Sequence, residues 1–490
     1  MDVDGLFRSL TKDAGLPSIR ATWVERYVKS PITFWCDIHA PEDMKDPPDP
    51  FVTLLIERGL EHQSGVISES YPDGVEEEFH GEEDGFRRTL ELMAAGTKFI
   101  LNMPLICRNI GLEGRPDVLV RVDDIGSDLG DFSYVVVEIK SARNISEAHI
   151  LQGAVYNRML GIVQGYEPDE YYIINGDSNE KVIPAVDVAS KLDAVLQNVR
   201  MVLDGDGVDP CFGAGDSPWH SYVNAMAIQN DDVSLLPGVG GARRENLFAF
   251  GFRTVGDVAA ADEPALIKVK GVGEPTAKII ISTAQSLQRK TPIRRDLTLE
   301  IRRGRTEVFF DLEGADPGIG GEGLEVVNYL IGRLVRLPAR QAAFNPFFAA
   351  TFDEEERVVR DFFDWAVGLD DPVFYHWHHY ERTHLTKMSD YYGLPESQVL
   401  WVLDRMVDLS PITTNSFAFP CYGRGLKDIA KCLGFAWRQE DVNALTSMVL
   451  YLQYVRFGKA ADSNRQKILD YNEDDCLATM HVFDWLLGQD

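Results

Sequence analysis

At 490 residues, with 45% hydrophobic and 10% aromatic content, the chain has material for several cores, and its length corresponds to about three domains. The formal net charge of −29 excludes a uniformly basic nucleic-acid-coating surface, but not one on which Arg and Lys gather on a single face. No apolar run reaches the length of a membrane span, and Met1-Asp2-Val3-Asp4 has neither the basic region nor the apolar core of an export signal, so a cytoplasmic protein with no membrane partner is expected. Acidity with Arg exceeding Lys fits either a salt-rich cytoplasm or a GC-rich genome. The six cysteines (36, 107, 211, 421, 432 and 476) form no Cys-x-x-Cys pair, which leaves no spacing for zinc or a disulfide framework.

In chain order, residues 21–37 read as one aromatic-rich helix carrying Trp23, Tyr27, Phe34 and Trp35. The acidic loop 41–50 interrupts it, and residues 51–63 restart as a helix with His62 near its end. A helix over 83–97 precedes two strands, one ending at Asp117 and one built on the β-branched run Tyr134-Val135-Val136-Val137. Alternation along the second strand puts Glu138 and Lys140 on one face. Gln152 and Tyr156, one helical turn apart, point from the following helix toward the same place. Two carboxylates and an ammonium meeting at a sheet edge suit a hard divalent cation, and a strand-end salt bridge is the plainer alternative. A strand over 171–174 and an amphipathic helix over 186–204 follow.

The order Gly114-x-x-Asp117, Glu138-x-Lys140, Gln152-x-x-x-Tyr156 resembles the RecB-like branch of the PD-(D/E)XK nucleases. The resemblance implies that His62, Asp117, Glu138 and the Ile139 carbonyl hold the metal. It also implies that Lys140 orients or helps deprotonate the attacking water. Taken alone, His62 reads equally as a ligand or a helix-surface histidine. Some members of that branch carry an iron–sulfur cluster, but Ser30 stands where the usual cysteine precedes Pro31 and no cysteine cluster follows Tyr156, so no cluster is expected.

Residues 206–231 read as a linker, rich in Gly and Asp at its start. Leu236-Pro237-Gly238-Val239-Gly240 and Val269-Lys270-Gly271-Val272-Gly273 then repeat a turn that opens a helix. The pair resembles tandem helix-hairpin-helix modules, whose exposed N–H groups cradle phosphate without reading the base. Gly238, Gly240, Gly271 and Gly273 would form the cradle, with Arg243, Lys268, Lys270 and Lys278 supplying charge beside Arg244. The alternative is a helical linker with tight turns.

After a basic linker over 291–305, the strand Glu307-Val308-Phe309-Phe310-Asp311-Leu312-Glu313 ends in two carboxylates on one side. A short strand over 373–376 leads to Glu381 at the start of a helix, and Tyr471-Asn472-Glu473-Asp474-Asp475 begins the last helix. This constellation resembles the DnaQ-type exonucleases of the RNase H-like fold. It implies that Asp311, Glu313, Glu381 and Asp475 bind two divalent metals while Tyr471 orients water, with Glu381 departing from the family's Asp. Asp408 is either an outer acid of that cleft or a capping residue. His376, His378, His379 and His384 match no zinc spacing and serve at most as phosphate contacts.

The expected fold class is therefore α/β multidomain: a PD-(D/E)XK restriction-endonuclease-like domain over 1–205, a small all-α helix-hairpin-helix domain over 232–290 and an RNase H-like α/β domain over 306–490. The expected activity is Mg²⁺- or Mn²⁺-dependent hydrolysis of single-stranded ends or branched DNA in repair or defence. The alternatives are a DNA-end or junction adaptor with one inactive head, and an RNA-processing exonuclease. No Gly-x-x-x-x-Gly-Lys-Ser/Thr phosphate loop is present, so unwinding must come from a separate helicase partner or from a substrate already single-stranded.

Overall fold

The computed structural model describes residues 2–295, 299–316, 326–439 and 442–489. Part of the expected basic linker, residues 296–298, lies outside them. The chain divides into two compact units, the first running to Met226 and the second from Ala227 onward.

In the first unit, residues 21–37 are not one helix. Helix α1 (Ala21–Lys29) closes at Ser30, whose hydroxyl accepts the Thr33 N–H and starts a second helix, Pro31–His39, with proline in its first turn. Helix α2 (Pro50–Ser70) begins on the Asp49 cap and continues well beyond residue 63, so His62 lies inside it. The central sheet has strands β1 (Phe99–Leu101), β2 (Val118–Val122), β3 (Ser133–Ile139), β4 (Glu170–Ile174) and β5 (Glu180–Pro184), in that spatial order. Asp117 stands just before β2 rather than at the end of a strand. Because β2 and β3 are antiparallel, with Val118 opposite Val137, the start of β2 lies beside the end of β3. Between β3 and its parallel neighbour β4 runs helix α3 (Glu147–Gln164), capped by a Ser146–His149 box and ended by Gly165 at φ 68°. Helix α3 is buried on nearly every side, which explains its lack of a polar stripe.

The expected linker over 206–231 is packed structure. Trp219 is fully buried with Ile32, Cys36 and Val223, and its indole N–H donates to Asp37 Oδ1 at 2.7 Å. Helix His220–Gln229 occupies much of the rest.

The second unit starts with helices α4 (Gly241–Ala249), α5 (Val255–Ala260) and α6 (Glu274–Arg289). The segment after α6 is held rather than free: Ile293–Arg294 pairs with Phe417–Ala418, and Arg295 donates to the carbonyls of Thr414 and Phe417. A mixed sheet follows, with central strand β6 (Thr306–Ala315) between antiparallel β7 (Val327–Arg336) and parallel β8 (Pro372–His376), and with β9 (Met406–Asp408) beyond β8. Helices α7 (Glu355–Val367), α8 (Tyr380–Tyr391), α9 (Leu426–Cys432), α10 (Ala444–Phe457) and α11 (Asp462–Leu487) surround it. Helix α11 begins nine residues before Tyr471, so Tyr471 lies within it rather than at its start. Phe483 of α11 meets Phe309 edge-on at 5.3 Å and Tyr375 at 4.5 Å, which fixes the helix against β6 and β8.

Candidate active sites

In the first unit, the polar residues expected from the sequence meet at the end of β3. Asp117 Oδ2 accepts the Ile139 N–H at 2.6 Å, and the Asp117 N–H donates to Glu138 Oε1 at 3.1 Å. Lys140 Nζ lies 3.4 Å from Glu138 Oε2 and donates to Gln152 Oε1 at 2.5 Å, while Gln152 donates to the Tyr156 hydroxyl at 3.3 Å. Gly114 makes room for this: a Cβ there would stand 2.7 Å from the Tyr156 ring and 3.1 Å from Ala21 Cβ.

Burial and the Asp117 charge push Glu138 up to about 8, and burial likewise raises Asp117. Burial works against the Lys140 ammonium, but Glu138, Glu25 and Asp117 outweigh it and hold the amine charged. Two contributors were not anticipated: Gln63, donating to Asp117 Oδ1 at 2.7 Å, and Glu25 of α1, 3.6 Å from Lys140. Gln63 lies inside the helix expected over 51–63, and its reach to Asp117 is a contact made by tertiary packing. His62 Nε2 instead meets the Asn175 carbonyl at 3.1 Å, and its ligand atoms do not gather within 4.8 Å of those of Asp117 and Glu138.

Among the described residues, the group whose ligand atoms do lie within 4.8 Å of one another is Asp311, Glu313 and Asp475. Alternation along β6 aims the first two to one side, and Asp475 reaches them from α11. Asn472 Nδ2 donates to Asp311 Oδ2 at 2.7 Å, Trp437 Nε1 donates to Asp475 Oδ1 at 2.7 Å, and the Tyr471 hydroxyl bonds to Asp475. Burial first, then the neighbouring carboxylates, raises Asp311 and Glu313 well above the carboxylate range, and burial moves Asp475 up to about 6. Lys427 of α9, which the sequence reading missed, lowers both Glu313 and Asp475 and sits over the Tyr471 ring at 4.9 Å.

Glu381 is outside the three-carboxylate group. Its Oε2 accepts from His376 Nδ1 at 3.3 Å, and it shares a hydrogen bond with Asp311. Asp474 is turned away, bonded by the Arg438 N–H and Nε at 2.8 Å. Asp408 is a cap whose Oδ1 takes the N–H groups of Ser410 and His378, both at 2.9 Å.

The repeated turns have left-handed glycines where expected, Gly238 at φ 86° and Gly271 at φ 84°, while Gly240 and Gly273 cap α4 and α6. Lys268 and Lys270 are exposed. Arg243 ties the turns together, donating to the Gly238 carbonyl and, at 3.2 Å, to that of Gly271. Lys278 is paired with Glu274 at 2.8 Å. Arg244 is not a free surface charge but the half-buried partner of buried Asp232 at 2.6 Å.

Residues 308–487 match the family model described as the RNase_H superfamily, and residues 231–286 match the SAM-like Helix-hairpin-helix tandem. No curated protein matches the chain. A mixed α/β chain with an RNase H-like domain and a helix-hairpin-helix module fits a nucleic-acid nuclease that uses divalent metal. No helix among the described residues is long and apolar enough to cross a membrane.

Proposed function

We propose that the chain is a divalent-cation-dependent DNA nuclease with two hydrolytic heads: a DnaQ-like 3′-to-5′ exonuclease over 306–490 and a RecB-like PD-(D/E)XK head over 1–205, with 232–290 as the DNA clamp. The convergence of Asp311, Glu313 and Asp475 carries this reading. Three carboxylates, Glu313 and Asp475 buried and Asp311 partly so, are raised by desolvation and by one another's charge and form a hard oxygen donor set that fits Mg²⁺ or Mn²⁺. Such a cation, when bound, stabilises the charge that builds on a scissile phosphate.

The rest falls to the chain. Asn472 and Trp437 fix the directions of Asp311 and Asp475. The Tyr471 phenol, pushed far up by burial, stays protonated with its one O–H given to Asp475, and its oxygen orients the attacking water as an acceptor. In the first unit, Asp117 and Glu138 are the cation ligands, with the Ile139 carbonyl as a third, and His62 joins only by leaving Asn175. Lys140 is held charged, so it acts as a fixed positive group toward phosphate and water, not as the base.

A second reading, an adaptor with one inactive head, is favoured by Glu381 standing outside the carboxylate group. The test uses 5′-end-labelled single-stranded DNA with Mg²⁺, Mn²⁺ or EDTA. The expected result is a ladder shortening from the 3′ end, stopped by EDTA and missing in Asp311→Asn. An undegraded strand under both cations overturns the exonuclease assignment.

A further inference from the structure

The strongest unexplained feature of the second unit is a cluster of like charges. Arg243 Nη1 and Arg424 Nη2 lie 3.6 and 4.0 Å from where a Cβ on Gly238 would stand, so two guanidiniums share the first hairpin turn. Arg295 adds a third: burial and the Arg424 charge lower it to about 10, and burial and Arg243 lower Arg424 in turn. Their hydrogen bonds go to neutral acceptors: Arg424 donates to the Pro237 carbonyl at 3.2 Å, Arg243 to that of Gly271, and Arg295 to backbone carbonyls and to the Ser282 and Thr283 hydroxyls; among the described residues none of the three is ion-paired with a carboxylate. In a chain of net charge −29, three mutually repelling, unneutralised guanidiniums mark a place for an anion.

A groove leads away from this cluster. Its volume is about 610 Å³, and Arg424 lines it together with Trp377, His378, His379 and Asn415. Arg424 and Thr414 also line the seam at Pro237, so groove and hairpin are continuous. At its other side, Trp377 packs in the same apolar cluster as Tyr471, and the neighbouring His376 holds Glu381. His378 is kept at φ 75°, a left-handed conformation costly for a histidine, with its N–H held by Asp408 and its ring 4.1 Å from that of His379.

We infer that Arg424 joins the first hairpin to this groove, making one track for the phosphodiester backbone of a single strand of nucleic acid that ends at the Asp311–Glu313–Asp475 centre. Arg243 and Arg424 take a phosphate at the hairpin, and the half-buried Trp377 with exposed His378 and His379 offers ring surface for stacking to unpaired bases, which a duplex cannot present. The inference rests on the nuclease reading above and assigns that site its substrate path.

The test is fluorescence anisotropy of the full chain with fluorescein-labelled oligothymidylate in EDTA across a salt series. Arg424→Gln and the exposed Asn415→Asp should each weaken binding about five- to tenfold. Arg424→Gln should also reduce the slope of log K against log salt by about 0.7, with Arg424→Lys restoring it. Unfolding midpoints measured alongside separate lost contacts from lost fold. Unchanged affinity and slope in both variants would overturn the track, as would polyglutamate competing as well as the unlabelled strand, since that marks an acidic-protein site. An inactive wild type that still shows these binding changes would sink the nuclease reading alone, and intact cleavage without them would sink the track alone.

Discussion

Gly332 faces Asn472 so closely that a Cβ built on it would lie 1.5 Å from the Asn472 amide oxygen. The same glycine stands opposite Asp311 in the β6–β7 ladder, and Asn472 donates to Asp311 from across it. Asn472 is fully buried, and its amide oxygen has no hydrogen-bond partner among the described residues. A bare strand position thus admits the amide that aims the Asp311 carboxylate.

Gly332→Ala should therefore displace Asn472 and release Asp311. Overpacking of this kind costs about 1–3 kcal/mol, visible as a lower unfolding midpoint. The 3′-to-5′ activity should fall further than stability alone accounts for, and single-strand degradation at a temperature well below the midpoint checks it.

Neighbouring acids should separate cleanly. Asp474→Ala breaks the hydrogen-bonded pair with Arg438, whose side chain is 48% exposed, and should lower stability by about 1 kcal/mol while retaining cation binding. Asp475→Asn should retain the fold and lose cation binding. Mn²⁺ titration followed by electron paramagnetic resonance distinguishes them.

Much of this site was legible in the sequence because local periodicity determines it. Strand alternation aligned Asp311 with Glu313 and Glu138 with Lys140, and one helical turn related Tyr471 to Asp475. Residues brought in by tertiary packing were not legible. Lys427 and Trp437 come from separate segments, and Glu25 and Gln63, though inside the helices expected over 21–37 and 51–63, meet the site only through packing between elements. On α2 the His62 ring meets Asn175, and its neighbour Gln63 takes the place beside Asp117. Arg243 and Arg244 looked like equivalent surface charges, yet one braces two turns and the other pairs with a buried aspartate.

Protons and cation should compete. With Glu138 raised to about 8 and Asp475 to about 6, the folded chain binds more protons than the unfolded one from about pH 4 upward. Without cation, these groups' contribution to stability is present below about pH 4 and is lost as pH rises through those values. Mg²⁺ should therefore raise the unfolding midpoint more near pH 8 than near pH 5, and calorimetry in buffers of different ionisation enthalpy should show proton release on binding.

Removing Lys427 should move the acid limb of the activity profile. Its charge lowers Glu313 and Asp475, so in Lys427→Gln both titrate higher and the rise in cleavage rate shifts to higher pH. Steady-state rates across pH at saturating Mg²⁺ measure the displacement, and an unmoved limb rules out Lys427 as a group that lowers those carboxylates.

Whether the two proposed hydrolytic heads act independently is read from product analysis on doubly end-labelled single-stranded DNA with Mg²⁺ in Glu138→Gln, Glu313→Gln and the double variant. Each single variant should lose a different set of products, and the double variant, like EDTA, should lose all cleavage. Identical product patterns in wild type and either single variant would contradict this, leaving that head as a binding platform.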